Sequence, residues 1–298
     1  MKPIEDAPDI QNPKARWMFE EIKKRTLVMG ILNVTPDSFS DGGAYLDPDA
    51  AVSKGIEMAE QGADIIDVGG ESTRPGAEPV EIEEEIRRVV PVIKHLAVHI
   101  SIPISIDTYH SETAAAALDS GASIINDISG MTFDAEMKSL AAERQCPIIL
   151  MHIKGTPQNM QKNPHYQNVV EEITAWLKAR IEDAENAGID RRLIIIDPGI
   201  GFGKTVEHNL EILHKLSSFK ALGRPILVGV SRKRLIGEIL GGLPVEERLE
   251  GTASAVAISI ANGANIVRVH DVKEMVRVVK VADAIVRFGQ TYSSFSPS

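Results

Sequence analysis

One cysteine in 298 residues, Cys146, denies this chain an internal disulfide framework. Cys146 stands before Pro147 at the start of an apolar run, which suits a buried structural thiol better than a nucleophile. The chain also lacks positive charge: its formal net charge is −10. That excludes nucleic acid and anionic membrane as general partners, though local basic residues can still hold a small anion. No apolar run approaches the ~20 residues a bilayer span needs. The opening MKPIEDAPDIQNPKARW has no apolar core and does not read as a signal peptide. A soluble cytoplasmic protein is the expectation. No stretch is Pro/Ser-rich or low in complexity, so nothing marks an internal linker.

Eight short apolar runs recur instead. They are 27–33 (LVMGILN), 64–69 (DIIDVG), 103–107 (PISID), 123–127 (SIIND), 147–152 (PIILMH), 193–197 (LIIID), 225–231 (PILVGVS) and 265–270 (NIVRVH). Each is rich in Ile, Val and Leu, as a strand buried on both faces should be. Helical spacing fills the gaps. Asp47 and Pro48 form a helix start, acidic residues 81–85 open a second helix, and others begin near Ser111 and Asp134. Residues 168–187 form a long helix stopped by Gly188, and another starts near Glu207. A short turn over 232–240 precedes helices over 245–261 and 273–288. The alternation predicts an α/β fold: one TIM (β/α)8 barrel over 26–290, after a lead-in segment over 1–25 and before a tail over 291–298.

In such a barrel all strand C-termini share one face, and polar residues there read as catalytic. Asp107, Asn126 and Asp197 end the third, fourth and sixth runs. Two carboxylates and an amide suit a flat ligand with adjacent ring N–H and amino groups. Ser231-Arg232-Lys233-Arg234 follows the seventh run, and Arg268 and His270 share one side of the eighth. Loops after strands 7 and 8 commonly bind phosphate. An inward Arg268 requires an anion, a carboxylate or an aromatic face, whereas Arg232 reads as a solvated turn residue. Asn33, Asp37 and Asp41 offer hard oxygen donors of the kind Mg²⁺ takes, or ordinary turn chemistry. His152 has no zinc-spaced companions and reads as structural. Residues 199–203 (GIGFG) are an incomplete dinucleotide fingerprint. Their glycines are expected to let backbone approach a ligand, with Phe202 as an apolar wall.

Seven motifs carry a resemblance. GILNVTPDSFSDGG (30–43), DVGGESTRPGA (67–77), ISIDT (104–108), INDISG (125–130), DPGIGFGK (197–204), SRK (231–233) and RVHD (268–271) resemble the dihydropteroate synthases, in order and across nearly the whole chain. The family's fold is a TIM barrel. Its reaction joins p-aminobenzoate to 6-hydroxymethyl-7,8-dihydropterin diphosphate, with Mg²⁺, in folate synthesis, and sulfonamides inhibit it. The resemblance implies that Asp107, Asn126, Asp197 and Lys233 hold the pterin, with Ile128, Met151 and Phe202 lining its pocket. Arg268 would stack on the pterin and, with Asn33, Thr73 and His270, hold the diphosphate. Phe39, Arg74, Pro75, Phe202, Lys233 and Arg234 would surround p-aminobenzoate. Asn33 and Asp41 would organise the metal. Asp41, Asp107, Lys233 and Arg268 are the implied catalytic residues, and a homodimer through the last helices is implied too. Arg234 stands where family members often carry Ser, so it either pairs with the p-aminobenzoate carboxylate or points into solvent.

The implied chemistry needs no Ser/His or Cys/His pair. Diphosphate leaves, a delocalised pterin cation forms, and a neutral arylamine attacks it. Arg268, His270 and Mg²⁺ would stabilise the leaving charge, and Asp107 the cation. The alternative is a methyltetrahydrofolate-binding barrel of corrinoid methyl transfer, which has no use for a diphosphate clamp. An aldolase with Lys233 as Schiff-base nucleophile is a further rival.

Overall fold

The computed structural model describes residues 10, 12–35 and 48–288. Phe39 and Asp41, with Asp37 and Asp47, lie outside the described residues. Helix α1 (Pro13–Ile22) precedes eight strands: β1 (Leu27–Asn33), β2 (Ile65–Gly69), β3 (Ile104–Asp107), β4 (Ile124–Asp127), β5 (Ile148–Met151), β6 (Ile194–Asp197), β7 (Leu227–Val228) and β8 (Ile266–Val269). Between and after them run α2 (Pro48–Glu60), α3 (Ile82–His99), α4 (Ser111–Asp119), α5 (Glu136–Arg144), α6 (Val169–Asn186), α7 (Val206–His214), α8 (Arg234–Ile239), α9 (Leu249–Ala261) and α10 (Val272–Val286). All strand pairs are parallel, in the order β6-β5-β4-β3-β2-β1-β8-β7. A bridge between Ile196 and Ile226 joins the two ends, so the sheet is a barrel. The eight strands lie within the eight apolar runs. The seventh run is the one most shortened: its chain leaves the ladder at Gly229 and turns at Arg232, whose φ is 55°.

Side chains alternate across each strand, so residues two apart share a face. One set packs outward under the helices, including Val28, Ile66, Ile106, Ile125, Leu150, Ile196, Val228 and Val267. The other set points into the barrel. Its lower layer is Leu27, Met29, Ile65, Ile124, Ile149, Ile195, Leu227 and Ile266. Two residues further along the strands the inward positions turn polar: Asp67, Asn126, Asp197 and Arg268. The site is therefore the polar upper half of a core whose lower half is hydrocarbon.

The segment expected to be a lead-in does more than lead in. Asn12 caps α1 by accepting from the Lys14 and Ala15 amides, and Pro13 sits at its first position. Met18, Phe19 and Ile22 then bury against the lower apolar layer and close that end of the barrel. A ten-residue helix with a modest apolar stripe was hard to separate from polar leader sequence. Its buried face is defined only by the open barrel end it covers. Phe19, 2% exposed, is the bulk of that plug, and truncating a buried Phe costs about 3–5 kcal/mol. Phe19→Ala should lower the unfolding free energy by about that amount in a urea titration. A change under ~1 kcal/mol would mean the plug is not part of the cooperative core.

Candidate active site

The upper inward layer is organised by one cation. Arg268 on β8 donates from Nε to Asp67 Oδ2 at 2.6 Å and from Nη2 to Asp107 Oδ2 at 2.5 Å. Asn126 on β4 donates to the same Asp67 oxygen at 3.0 Å. Two carboxylates thus share one guanidinium inside the barrel. Burial alone would depress the arginine's pKa, but Asp67 and Asp107 outweigh it and hold the group firmly protonated. Burial raises the Asp107 carboxyl well above the usual range; Arg268 opposes that shift and the Asp67 charge reinforces it. Oδ1 of Asp67 and Oδ1 of Asp107 are both buried and have no hydrogen-bond partner among the described residues. Buried acceptors of this kind are rare and call for a donor.

Asp197 ends β6, and its Oδ1 accepts the Gly199 amide at 2.7 Å. Burial pushes its carboxyl up to about 6, against the pull of that amide and of Lys233, Lys204 and Arg268. Lys233 is the residue just before α8, and its Nζ lies 4.2 Å from the centroid of the Phe202 ring. Burial, and then Arg268, push it down to about 8, with Asp197 and Asp107 opposing. His270 accepts no charge of its own: burial, then Arg268 and Arg232, push it down to about 4. Its backbone amide donates to Ser231 Oγ at 3.1 Å, and its Nδ1 lies 3.0 Å from the same oxygen.

Above this layer opens a cavity of about 770 Å³. Asn33, Thr73, Arg74, Pro75, Asp107, Phe202, Lys233, Arg234, Arg268 and His270 all line it. Asn126, Asp197, Ile128 and Met151 do not. Asn126 lies beneath, on Asp67. Ile128 and Met151 join Ile153, Met160 and Phe202 in an apolar cluster with Tyr109 beside it. Phe202 and Met160 belong to both cluster and cavity. Of the sequence's candidate residues, Asp37, Phe39 and Asp41 lie outside the described residues.

Two expectations change, and the open choice at Arg234 is decided. Arg232 is no solvated turn residue: its guanidinium forms a two-point pair with Asp271, Nε to Oδ2 at 2.9 Å and Nη2 to Oδ1 at 2.5 Å. This locks the loop after β7 to the residue after His270. Two of the three glycines of 199–203 approach the protein itself, while Gly201 lines the cavity. A Cβ on Gly199 would stand 1.9 Å from the His152 carbonyl oxygen, and one on Gly203 2.4 Å from that of Lys154. Both have positive φ. Arg234 is largely exposed and pairs with Glu238 one helical turn on, which is the solvent-facing alternative. His152 is structural, as expected. It is buried, and Lys204 fixes it, with Nζ 3.0 Å from His152 Nδ1 and bonded to the Phe202 carbonyl at 2.9 Å. Burial, then Lys204, push His152 down to about 2.

Asp67, Glu71 and Lys204 were missed. Attention to strand ends passes over Asp67, which stands two residues before the end of β2. The signal was the period of two: Asp67 shares a face with Gly69, just as Ser105 does with Asp107. Asp67→Ala would leave a buried arginine with half its counter-charge, a change that typically costs about 3–5 kcal/mol. Chemical denaturation should show at least ~3 kcal/mol lost. An unchanged midpoint would mean that Asp107 alone satisfies Arg268.

With the geometry established, the comparisons converge. The profile of the family described as pterin binding enzyme matches residues 29–270. The dihydropteroate synthase of Synechocystis sp. is 50% identical over 264 residues, spanning 89% of this chain and 91% of that protein. The structure of Xanthomonas albilineans dihydropteroate synthase with 4-aminobenzoic acid matches with TM-score 0.83 at 45% identity, over 88% of this chain and 93% of that one. The Yersinia pestis dihydropteroate synthase structure with a sulfonamide drug complex matches with TM-score 0.84 at 41% identity, over 88% and 94%. Over nearly the whole barrel the match is to transferases of folate synthesis: the chain belongs to the dihydropteroate synthase family of pterin-binding enzymes.

Proposed function

We propose that this chain condenses 6-hydroxymethyl-7,8-dihydropterin diphosphate with p-aminobenzoate, releasing pyrophosphate and 7,8-dihydropteroate. The observation that carries this reading is the Asp67–Arg268–Asp107 unit, which presents Arg268 and Asp107 to a cavity whose other wall holds Lys233, His270 and the Thr73–Pro75 loop. Buried carboxylate oxygens without donors suit the ring N–H and amino groups of a pterin. A cation beside them suits a departing diphosphate.

In the first step the C–O bond between the pterin methylene and the diphosphate breaks, and its electron pair leaves with the diphosphate. Arg268 spans both ends of the change, holding the leaving oxygens while drawing the Asp107 carboxyl toward its ionised form against the burial that raises it to about 7. Asp107 and Asp197, in their ionised forms, stabilise the cation spread over the pterin. His270 is neutral, and with Nδ1 against Ser231 its other nitrogen donates to the leaving group. The p-aminobenzoate nitrogen then attacks the methylene and loses a proton. As a neutral arylamine it needs no strong base. Phe202 and Pro75 flank its ring, while Lys233 provides a local positive charge near its carboxylate.

Among the described residues no three or more His, Cys, Asp or Glu gather to hold a metal. Mg²⁺ nonetheless fits: it takes few protein oxygens and fills its shell with water and substrate phosphates, and the Asn33 amide at the cavity edge is such a donor. Asn33 and Asp41 would hold it, and it would supply charge neutralisation on the diphosphate. Sulfonamides would compete at the Pro75–Phe202–Lys233 end, with Arg234 at the rim. A homodimer through α7, α9 and α10 accords with Leu210, Ile258, Val281 and Ile285, all exposed there. No helix among the described residues is long and apolar enough to cross a membrane, and we place the enzyme in the cytoplasm.

The deciding experiment measures pyrophosphate release from dihydropterin diphosphate with and without p-aminobenzoate and Mg²⁺. Release that requires both and yields dihydropteroate is expected. No release, with tight methyltetrahydrofolate binding instead, would move the chain to corrinoid methyl transfer. Arg268→Ala should lower kcat by about 10²–10³-fold, the loss typical of a leaving-group or oxyanion donor. Asp197 is raised to about 6, so it loses its charge as pH falls through 6. Pterin affinity by direct titration should therefore fall between pH 7 and 5. In Asp197→Asn it should be weaker at pH 8 and fall less steeply over that range, the remaining fall coming from Asp107, whose carboxyl burial raises to about 7.

A further inference from the structure

The loop after β2, which carries Thr73, Arg74 and Pro75 to the cavity, is fastened by groups with no part in the chemistry above. Glu71 is buried and also faces the cavity. Its Oε1 accepts the Tyr109 hydroxyl at 2.6 Å and its Oε2 the Val80 amide at 3.2 Å, so one carboxylate closes the loop at its far end and ties it to the next β–α connection. Tyr109 is held in turn. Its ring meets Phe133 edge-on at 5.3 Å and packs beside the apolar cluster of Ile128, Met151 and Phe202. The residues on either side of it, Thr108 and His110, both bond to buried Glu85 Oε2, at 3.1 Å and 2.9 Å, as does Thr113 at 2.7 Å. Glu85 belongs to α3, so the mount is anchored in the barrel's helical layer.

We propose that Glu71 and Tyr109 are positioning residues: the Glu85-mounted Tyr109 hydroxyl and the Glu71 carboxylate form a strap that sets the Thr73–Pro75 loop against the p-aminobenzoate end of the cavity. This rests on the functional reading above. The strap links the loop to the same apolar cluster that contains Phe202, so the two sides of the arylamine slot keep a fixed spacing. Its hydrogen bonds touch neither the Arg268 unit nor Asp197, and the Tyr109 ring, not its hydroxyl, meets the Ile128–Met151 cluster, so loss of the hydroxyl leaves pterin binding alone.

Tyr109→Phe removes one hydroxyl and keeps the ring packing, so the fold survives. Amide hydrogen exchange over residues 71–80 should then quicken by about tenfold, as expected for lost local stabilisation, with the strands unchanged. The KM for p-aminobenzoate should rise about tenfold, the equivalent of one charge-assisted hydrogen bond. The directly titrated affinity for a dihydropterin should stay put. Glu71→Ala should match or exceed this effect, and Glu71→Gln, which keeps an acceptor oxygen, should be milder. Unchanged exchange over 71–80 in Tyr109→Phe overturns the strap whatever the substrate. Faster exchange with an unchanged KM for p-aminobenzoate, or equal weakening of both substrates, overturns its positioning role. Absence of pyrophosphate release by the unmutated enzyme would instead sink the functional reading, while the exchange result would still decide the strap.

Discussion

A single buried arginine governs the upper half of this barrel. Arg268 sits in the inward layer where hydrocarbon gives way to polar side chains, bound to Asp67 and Asp107 on strands β2 and β3. A lone guanidinium there would be prohibitive, and so would two lone carboxylates. Each makes the others tolerable. Two acids share one base, and the unit leaves two buried acceptor oxygens without donors among the described residues. The upper half of the core therefore depends on the same three side chains.

Around this unit the loops are rigidified by close backbone approach, a buried lysine and a partly buried ion pair. Gly199 and Gly203 lie so near the β5 exit that no side chain fits, and Lys204 ties the same two segments together through His152. Arg232 and Asp271 join the loops after β7 and β8. The result is a mouth in which Phe202, Lys233 and His270 hold fixed places.

Much of this was legible in the residues alone. Runs of Ile and Val ending in Asp, Asn or His gave eight strands and the face that carries function. The polar ends of those runs then nominated Asp107, Asn126, Asp197, Lys233, Arg268 and His270. Residues inside a run were harder. Asp67 looks like one acid among apolar neighbours until its register with Ser105 and its distance to Arg268 are known. Lys204 and Glu71 sit in loops, where a charged residue ordinarily means solvent. Their burial comes from a neighbouring loop with no sequence signal of its own.

The sequence by itself determined the period-two alternation, and with it the barrel, the polar rim and the clustering of basic residues after β7 and β8. These are local patterns, and a strand's two faces follow from backbone geometry. Tertiary structure decided the partners. It chose two carboxylates for Arg268, paired Arg232 with Asp271, turned Arg234 to Glu238 and made α1 the barrel's floor. Those choices depend on which strands and loops lie side by side across the closed sheet. Contacts between residues two hundred positions apart, such as Asp67 and Arg268, leave no periodic trace along the chain.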